Sequence, residues 1–262
     1  MFVSRTVAEW LSRRRSLSGS IGFVPTMGAL HAGHASLVER CRRENDVVVA
    51  SIFVNPTQFN DPADLKRYPR TLDGDLRMLQ TLGADEVILP AADDLYPRDY
   101  RFRLEAPTLT AIMEGTHRPG YLEGVMTVVL KLLNLVRADR AYFGEKDYQQ
   151  LRVIAEMTAE FFIPTGIVGC ATVREASGLA ESSRNALLTA AGRERAARLF
   201  EILTTAPDPG HARGRLQSEG FTVDYVEEHW GRRFAAVFLD GVRLIDNVPV
   251  EKGTAEADAP LR

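Results

Sequence analysis

Apolar and polar positions along this chain follow two rhythms. "DVVVASIFVN" (46–55) is a continuous apolar, β-branched run, as a strand covered on both faces would be. "SIGFVP" (20–25) reads as a shorter strand of the same kind, and between the two "HASLVERCRREN" (34–45) puts Leu37, Val38 and Cys41 on one helical face with charges opposite. That is a β-α-β unit. Leu72, Leu76, Leu79 and Leu82 mark a helix over 71–83, and "DEVILP" (85–90) is the next strand. Proline-containing "PAADDLYPRDY" breaks the regularity. A helix follows at 124–138, a strand at 140–144, a helix at 147–162 and a strand at 165–173. Strands alternating with helices predict an α/β fold built on a doubly wound, parallel, Rossmann-like sheet.

Past about residue 177 the rhythm changes. A helix is expected at 189–205, "APDPGHARG" reads as a loop, and "FAAVFLDGVRLIDNV" (234–248) reads as two alternating strands around an Asp240-Gly241 turn. The expected division is therefore a nucleotide-binding domain over 1–176 and a smaller α+β C-terminal lid domain over 177–262, with a polar, mobile tail from about 251.

Composition narrows the possibilities. With 262 residues, 45% of them apolar, the chain can bury one large core or two ordinary ones. A net charge of −3 and a pI near 6.0 argue against nucleic acid or an anionic membrane as partner. The first twenty residues hold arginines but no apolar core of a secretory signal, and no apolar run approaches the ~18 residues of a membrane span. The two cysteines, Cys41 and Cys170, read as reduced, buried thiols. A cytoplasmic protein is expected.

Candidate chemistry concentrates in "PTMGALHAGH" (25–34), at the carboxyl end of the first buried strand, where ligands of doubly wound sheets bind. A helix N-terminus attracts phosphate, Gly28 and Gly33 allow close approach of a ligand to the backbone, and His31 and His34 share one face as N–H donors. Phosphate handling, structural histidines and a metal pair are the three readings, and the context favours the first. Neither a P-loop nor a G-x-G-x-x-G motif is present. Lys146 in "FGEKDYQQ" and Ser182, Ser183 and Arg184 in "SGLAESSRN" could supply the charge and hydroxyls that close around a triphosphate, although each alone fits an ordinary solvated loop.

Taken in order, "PTMGALHAGH", "SIFVNPTQF", "YPRT", "FGEKDYQQL", "SSRN" and "RLIDN" resemble the pantothenate synthetases (pantoate–β-alanine ligases) of the H-x-G-H nucleotidyltransferase superfamily, over nearly the whole chain. The first stretch alone is shared with many nucleotidyltransferases and class I tRNA synthetases; the ordered set is specific. The resemblance implies that ATP activates (R)-pantoate as pantoyl adenylate, releasing pyrophosphate, and that the amine of β-alanine then displaces AMP to give pantothenate, a coenzyme A precursor. It implies His34 as proton donor in a catalytic set with His31, Lys146, Ser182, Ser183 and Arg184. The implied ATP contacts are Met27, Gly28, Ala29, Leu30, His31, Ala32, Gly33, His34, Gly144, Glu145, Lys146, Asp147, Val173, Glu181, Ser182, Ser183 and Arg184. Gln58 and Gln150 would hold pantoate, with Gln58 also near β-alanine. Mg²⁺ bound with ATP and a homodimer are implied too.

Met27, Phe53 and Phe59 are candidate apolar partners for the substrate methyls, with core packing the alternative for Phe53. Asp75, and more weakly Asp73, could help position Mg²⁺, or could simply be the acidic start of a helix. Several positions depart from the family pattern. Glu181 stands where an apolar residue is common and is expected to face solvent; Ser177 replaces a common Asp; "GYLEGV" (120–125) stands where His-Phe-Arg is frequent; Gly74 falls in a stretch often richer in carboxylates; and the C-terminal domain is shortened. The competing readings are a small adenylyl- or cytidylyltransferase, which has no need of both Gln58 and Gln150, a tRNA-binding synthetase-like protein, which the acidic pI disfavours, and a non-catalytic relative.

Overall fold

The computed structural model describes residues 1–98 and 100–250. The expected mobile tail lies outside the described residues. The chain divides into two compact units: Met1–Glu145 with Gln149–Cys170, and Lys146–Tyr148 with the chain from Ala171 on. The division falls at Cys170/Ala171 rather than after residue 176, and it assigns the short Lys146–Tyr148 segment to the second unit.

The first unit runs β1 (Phe2–Ser4), α1 (Val7–Arg14), β2 (Ile21–Thr26), α2 (Ala32–Glu44), β3 (Val47–Ile52), α3 (Pro62–Arg67), α4 (Leu72–Thr81), β4 (Glu86–Ile88), α5 (Ala92–Leu95), α6 (Met113–His117), α7 (Tyr121–Val136), β5 (Arg140–Gly144), α8 (Tyr148–Glu160, entered from the second unit's segment) and β6 (Gly166–Cys170). Its six strands lie in the order β1-β4-β3-β2-β5-β6, all parallel, so the Rossmann-like expectation holds. The continuous apolar runs make sense in this setting. On one face Val24, Val48, Ala50 and Val87 pack with Leu37, Val38 and Cys41 of α2 and Leu79 of α4. The other face buries Ile21, Phe23, Val49 and Ile88, and there Trp10 of α1 donates its indole N–H to the Leu135 carbonyl of α7 at 2.9 Å. Cys41 and Cys170 are free and buried, and burial pushes the Cys41 thiol up to about 12.

Five elements of this unit escape the hydrophobic pattern: β1, α1, α3, α5 and α6, of which α5 lies in the proline-containing stretch read as irregular. β1 is only three residues long. α1 is announced by Thr6 and Glu9, whose spacing allows the Thr6 hydroxyl to accept from the Glu9 N–H at 3.1 Å. The helix expected from 34 begins at Ala32 instead, which makes His31 its cap.

The second unit contains α9 (Ala190–Ala196), α10 (Arg198–Thr205), α11 (Pro209–Ser218), β7 (Thr222–His229), β8 (Arg232–Leu239) and β9 (Val242–Pro249). The expected single helix at 189–205 is thus two. "APDPGHARG" is not a loop: Asp208 accepts from the His211 N–H at 2.9 Å and Pro209 opens a helix, the usual N-terminal chemistry of cap and first turn. The strands form one antiparallel sheet in the order β7-β8-β9. Asp240 and Gly241 both have positive φ, 51° and 77°, as the tight turn between β8 and β9 requires. Trp230 and Gly231 repeat that geometry before β8, which explains why β7 does not stand out in the sequence: a tryptophan rarely marks such a turn. Leu199, Ile202, Leu203, Leu216, Val237 and Leu244 belong to this unit's core.

Candidate active site

The order β3-β2-β5-β6 places a reversal of winding between β2 and β5. From β2 the chain crosses through α2 to β3 on one side; from β5 it crosses through α8 to β6 on the other. Loops leaving the carboxyl ends of such a strand pair diverge and leave a crevice for a ligand. Residues 27–34 follow β2 there, and Gly144 ends β5 there.

The loop after β2 is held from beneath. The Thr26 hydroxyl donates to the Ser51 carbonyl at 2.8 Å and accepts from the Gly28 N–H at 3.2 Å. Gly28 has φ 79° and Ala29 φ 50°, two left-handed residues in succession. The N–H groups that follow are then caught by one side chain: Asp75 accepts from Ala29 N at 3.0 Å and from Leu30 N at 2.9 Å, while the Thr71 hydroxyl donates to the same carboxylate at 3.0 Å. Asp75 is buried in the first turn of α4, whereas Asp73 is exposed. Its carboxylate therefore braces the histidine loop.

His31 caps α2, its Nδ1 accepting from the Gly33 N–H at 3.2 Å. That bond assigns the proton of a neutral imidazole to Nε2. The His31 and His34 rings lie 4.2 Å apart between centroids, tilted by 54°, at the N-terminus of a 13-residue helix. A helix end with imidazoles beside it has chemistry of the kind that attracts an anion.

The two glutamines are also linked. Gln58 is buried in the short turn Pro56–Gln58, and its side-chain oxygen accepts from Asn55 Nδ2 at 3.1 Å. Asn55 is itself fixed, donating to the Gly124 carbonyl at 3.2 Å and accepting from the Tyr96 hydroxyl at 2.9 Å. Gln150, on α8, accepts from the Tyr121 hydroxyl at 2.9 Å. Arg118 stacks over the Tyr121 ring, 3.6 Å from its centroid, and donates to the Gln58 carbonyl on the main chain at 3.4 Å. In both glutamines the side-chain oxygen accepts a hydrogen bond from a neighbouring side chain. Neighbouring Gln149 is different: it is buried and bonded to the backbone of Leu109, Ile112 and Glu114. Phe53 is buried, 6.4 Å from Tyr96 between centroids, and Phe59 stacks edge-on against Tyr68 at 5.6 Å.

In the second unit, Lys146 lies 3.8 Å from Asp147, and its carbonyl accepts from Asn247 Nδ2 at 2.9 Å. Val173 and the 181–184 loop come together, since Glu181 N–H donates to the Val173 carbonyl at 2.9 Å. Ser182 caps the turn Ser183–Leu187, accepting from the Arg184 N–H at 3.2 Å. Asn185 donates to the Ala180 carbonyl at 3.0 Å and to Glu175 at 3.1 Å. Glu181 does not stand clear in solvent as expected: it is half-buried, and burial, reinforced by nearby Glu175, raises its carboxyl above the usual range. Arg174 grips the buried Asp246 through two bonds of 2.6 and 2.9 Å.

Tyr121, Asp246 and Asn247 do not emerge from the sequence as site residues. The last two belong to "RLIDN", which marks them only as part of a recurring string. Among the described residues no group of three or more His, Cys, Asp or Glu side chains could hold a metal ion.

The comparisons with known proteins agree with one another. The family model described as pantoate-beta-alanine ligase matches residues 3–249. The chain is 48% identical over 248 residues to the pantothenate synthetase of Bdellovibrio bacteriovorus, covering 95% of this chain and 99% of that protein. It is 49% identical over 249 residues to that of Legionella pneumophila strain Corby, covering 94% and 99%. Among solved structures it resembles the pantoate-beta-alanine ligase of Francisella tularensis, complexed with beta-gamma ATP and beta-alanine, with a TM-score of 0.92 at 42% identity, covering 97% of this chain and 99% of that one. A pantothenate synthetase from Thermus thermophilus matches with a TM-score of 0.88 at 41% identity, over 96% and 100% of the two chains.

Proposed function

The chain belongs to the pantoate–β-alanine ligase family, and from that premise we propose how its residues divide the work. The reaction is the ATP-dependent joining of pantoate to β-alanine through pantoyl adenylate. A pantoate carboxylate oxygen attacks the α-phosphorus of ATP, forming a P–O bond as the bond to pyrophosphate breaks. The amine of β-alanine then attacks the acyl carbon, and AMP leaves with the bonding electrons of the C–O bond.

In this reading Gln58 and Gln150 hold pantoate. The observation that carries it is one they share: both side-chain oxygens accept from a neighbouring side chain, and in this reading the NH₂ groups face pantoate. Neutral donors suit a carboxylate that must remain nucleophilic, whereas a cation would hold its electron pairs too tightly. His31, His34 and the N-terminus of α2 meet the phosphates, with His34 donating toward the charge that grows during displacement. Lys146, Ser182, Ser183 and Arg184 take the departing pyrophosphate.

Mg²⁺ is expected to arrive with ATP. Asp75 does not fit a dedicated ligand role, because its oxygens already accept from two backbone N–H groups and a hydroxyl. A magnesium ion held chiefly by substrate phosphates and water needs no protein cage. A homodimer follows from the family resemblance, and the buried free thiols support a reducing, cytoplasmic setting.

The deciding experiment is pantoate-dependent exchange of labelled pyrophosphate into ATP with β-alanine omitted. Label should enter ATP only when pantoate is present. Exchange that required β-alanine would exclude a free-standing adenylation step.

A further inference from the structure

Tyr121 occupies the segment where this chain departs from its family's usual string. It opens α7, directly after Gly120 with its φ of 85°, and its ring is buried. Arg118 lies flat over that ring, and a 3.2 Å ion pair with the buried Glu114 holds the guanidinium in place. The ring is thus fixed by the start of a helix below and a tethered cation above. Its hydroxyl donates to Gln150 Oε1 at 2.9 Å.

We propose that Tyr121 is a positioning residue for pantoate, setting the side-chain amide of Gln150 with its NH₂ group toward the substrate. The proposal rests on the assignment of Gln150 to pantoate. The terminal torsion of a glutamine is soft and nearly two-fold, so both amide orientations are open to it unless a neighbour chooses. A phenol donates more readily than it accepts, because its lone pair is drawn into the ring. A guanidinium over the face withdraws further electron density and strengthens that preference. Tyr121 therefore favours the orientation in which Gln150 Oε1 faces the phenol and Nε2 faces away. In the opposite orientation the amide oxygen would confront the oxygens of pantoate and repel them.

Arg118 adds a second consequence. The same guanidinium that polarises Tyr121 also binds the main-chain carbonyl of Gln58. One cation thus ties together the supports of both substrate amides.

The test is a double-mutant cycle read by pyrophosphate exchange at saturating ATP. Tyr121→Phe keeps the ring under Arg118 and removes only the hydroxyl. It should raise the pantoate KM roughly tenfold while leaving the ATP KM within about twofold and the Tm within a few degrees. In a Gln150→Ala background the same change should alter the pantoate KM by less than about twofold, because the group it orients is gone. An equal effect in both backgrounds, or no effect in the parent enzyme, overturns the positioning role. A Gln150→Ala variant with unchanged pantoate KM overturns the assignment of Gln150 itself, and the proposal with it.

Discussion

A carboxylate that accepts from two consecutive backbone N–H groups fixes a loop in a way no neutral side chain of the same shape can reproduce. Asp75 does this for Ala29 and Leu30, two and one residues before His31. The sequence offers Asp75 as a candidate for Mg²⁺ or as the acidic start of a helix, and gives no sign of the bonds that make it a brace. The neighbours favour the brace. Asp75→Asn turns one acceptor into an NH₂ group facing a backbone N–H, at a cost of about 1–3 kcal/mol. The ATP KM should rise roughly tenfold, and added Mg²⁺ should not restore it. Titrating magnesium against both enzymes provides the check: recovery at high Mg²⁺ would return Asp75 to the role of metal ligand. Glu181 teaches the same lesson. Its departure from the family pattern is visible in sequence, whereas its burial beside Glu175 depends on the fold of the loop around it.

At the scale of elements, legibility tracks hydrophobic content. β2 and β3 stand out because both faces of each strand are buried, which leaves no polar residues to interrupt the run. α11 is hidden because only Ala212 and Leu216 of its ten residues are buried, too few to set a period. The pattern starts α7 at residue 124, but Gly124 lies inside it. That glycine is there for space: a Cβ at this position would meet the Thr57 carbonyl oxygen at 2.5 Å and Gln58 Cα at 2.9 Å. The helix presses directly on the turn that presents Gln58. Gly124→Ala should therefore push the Pro56–Gln58 turn outward, costing about 1–3 kcal/mol of stability as overpacking does. We expect a Tm lowered by several degrees and a pantoate KM raised severalfold, with the ATP KM within about twofold. Thermal melts and substrate titrations on the same preparation separate the two effects. An unchanged pantoate KM would mean that the turn absorbs the methyl group without moving Gln58.

For the molecule as a whole, the order of motifs along the chain is readable, but their long-range pairing is not. Nothing near Lys146 in sequence announces that it groups with residues beyond Cys170. Its support comes from Asn247, 101 residues away, whose amide donates to the Lys146 carbonyl at 2.9 Å. The oxygen of Asn247 accepts from Arg232 Nε at 2.5 Å, and Arg232 in turn lies over the ring of Tyr148, 4.7 Å from its centroid. The Lys146–Tyr148 segment is thus held at both ends by the β8-β9 hairpin. The pairing gives the "RLIDN" string a physical meaning: Asp246 anchors Arg174 and Asn247 anchors Lys146. Asn247→Asp isolates the second link, because it keeps an acceptor for Arg232 and replaces the donor with an oxygen that repels the Lys146 carbonyl. A misplaced ammonium weakens stabilisation of charge on the departing pyrophosphate, which develops mainly in the transition state. The exchange rate at saturating substrates should fall about 10- to 100-fold, with the pantoate KM within about twofold. If the pantoate KM instead rose as much as the rate fell, Asn247 would be supporting substrate binding rather than the placement of Lys146.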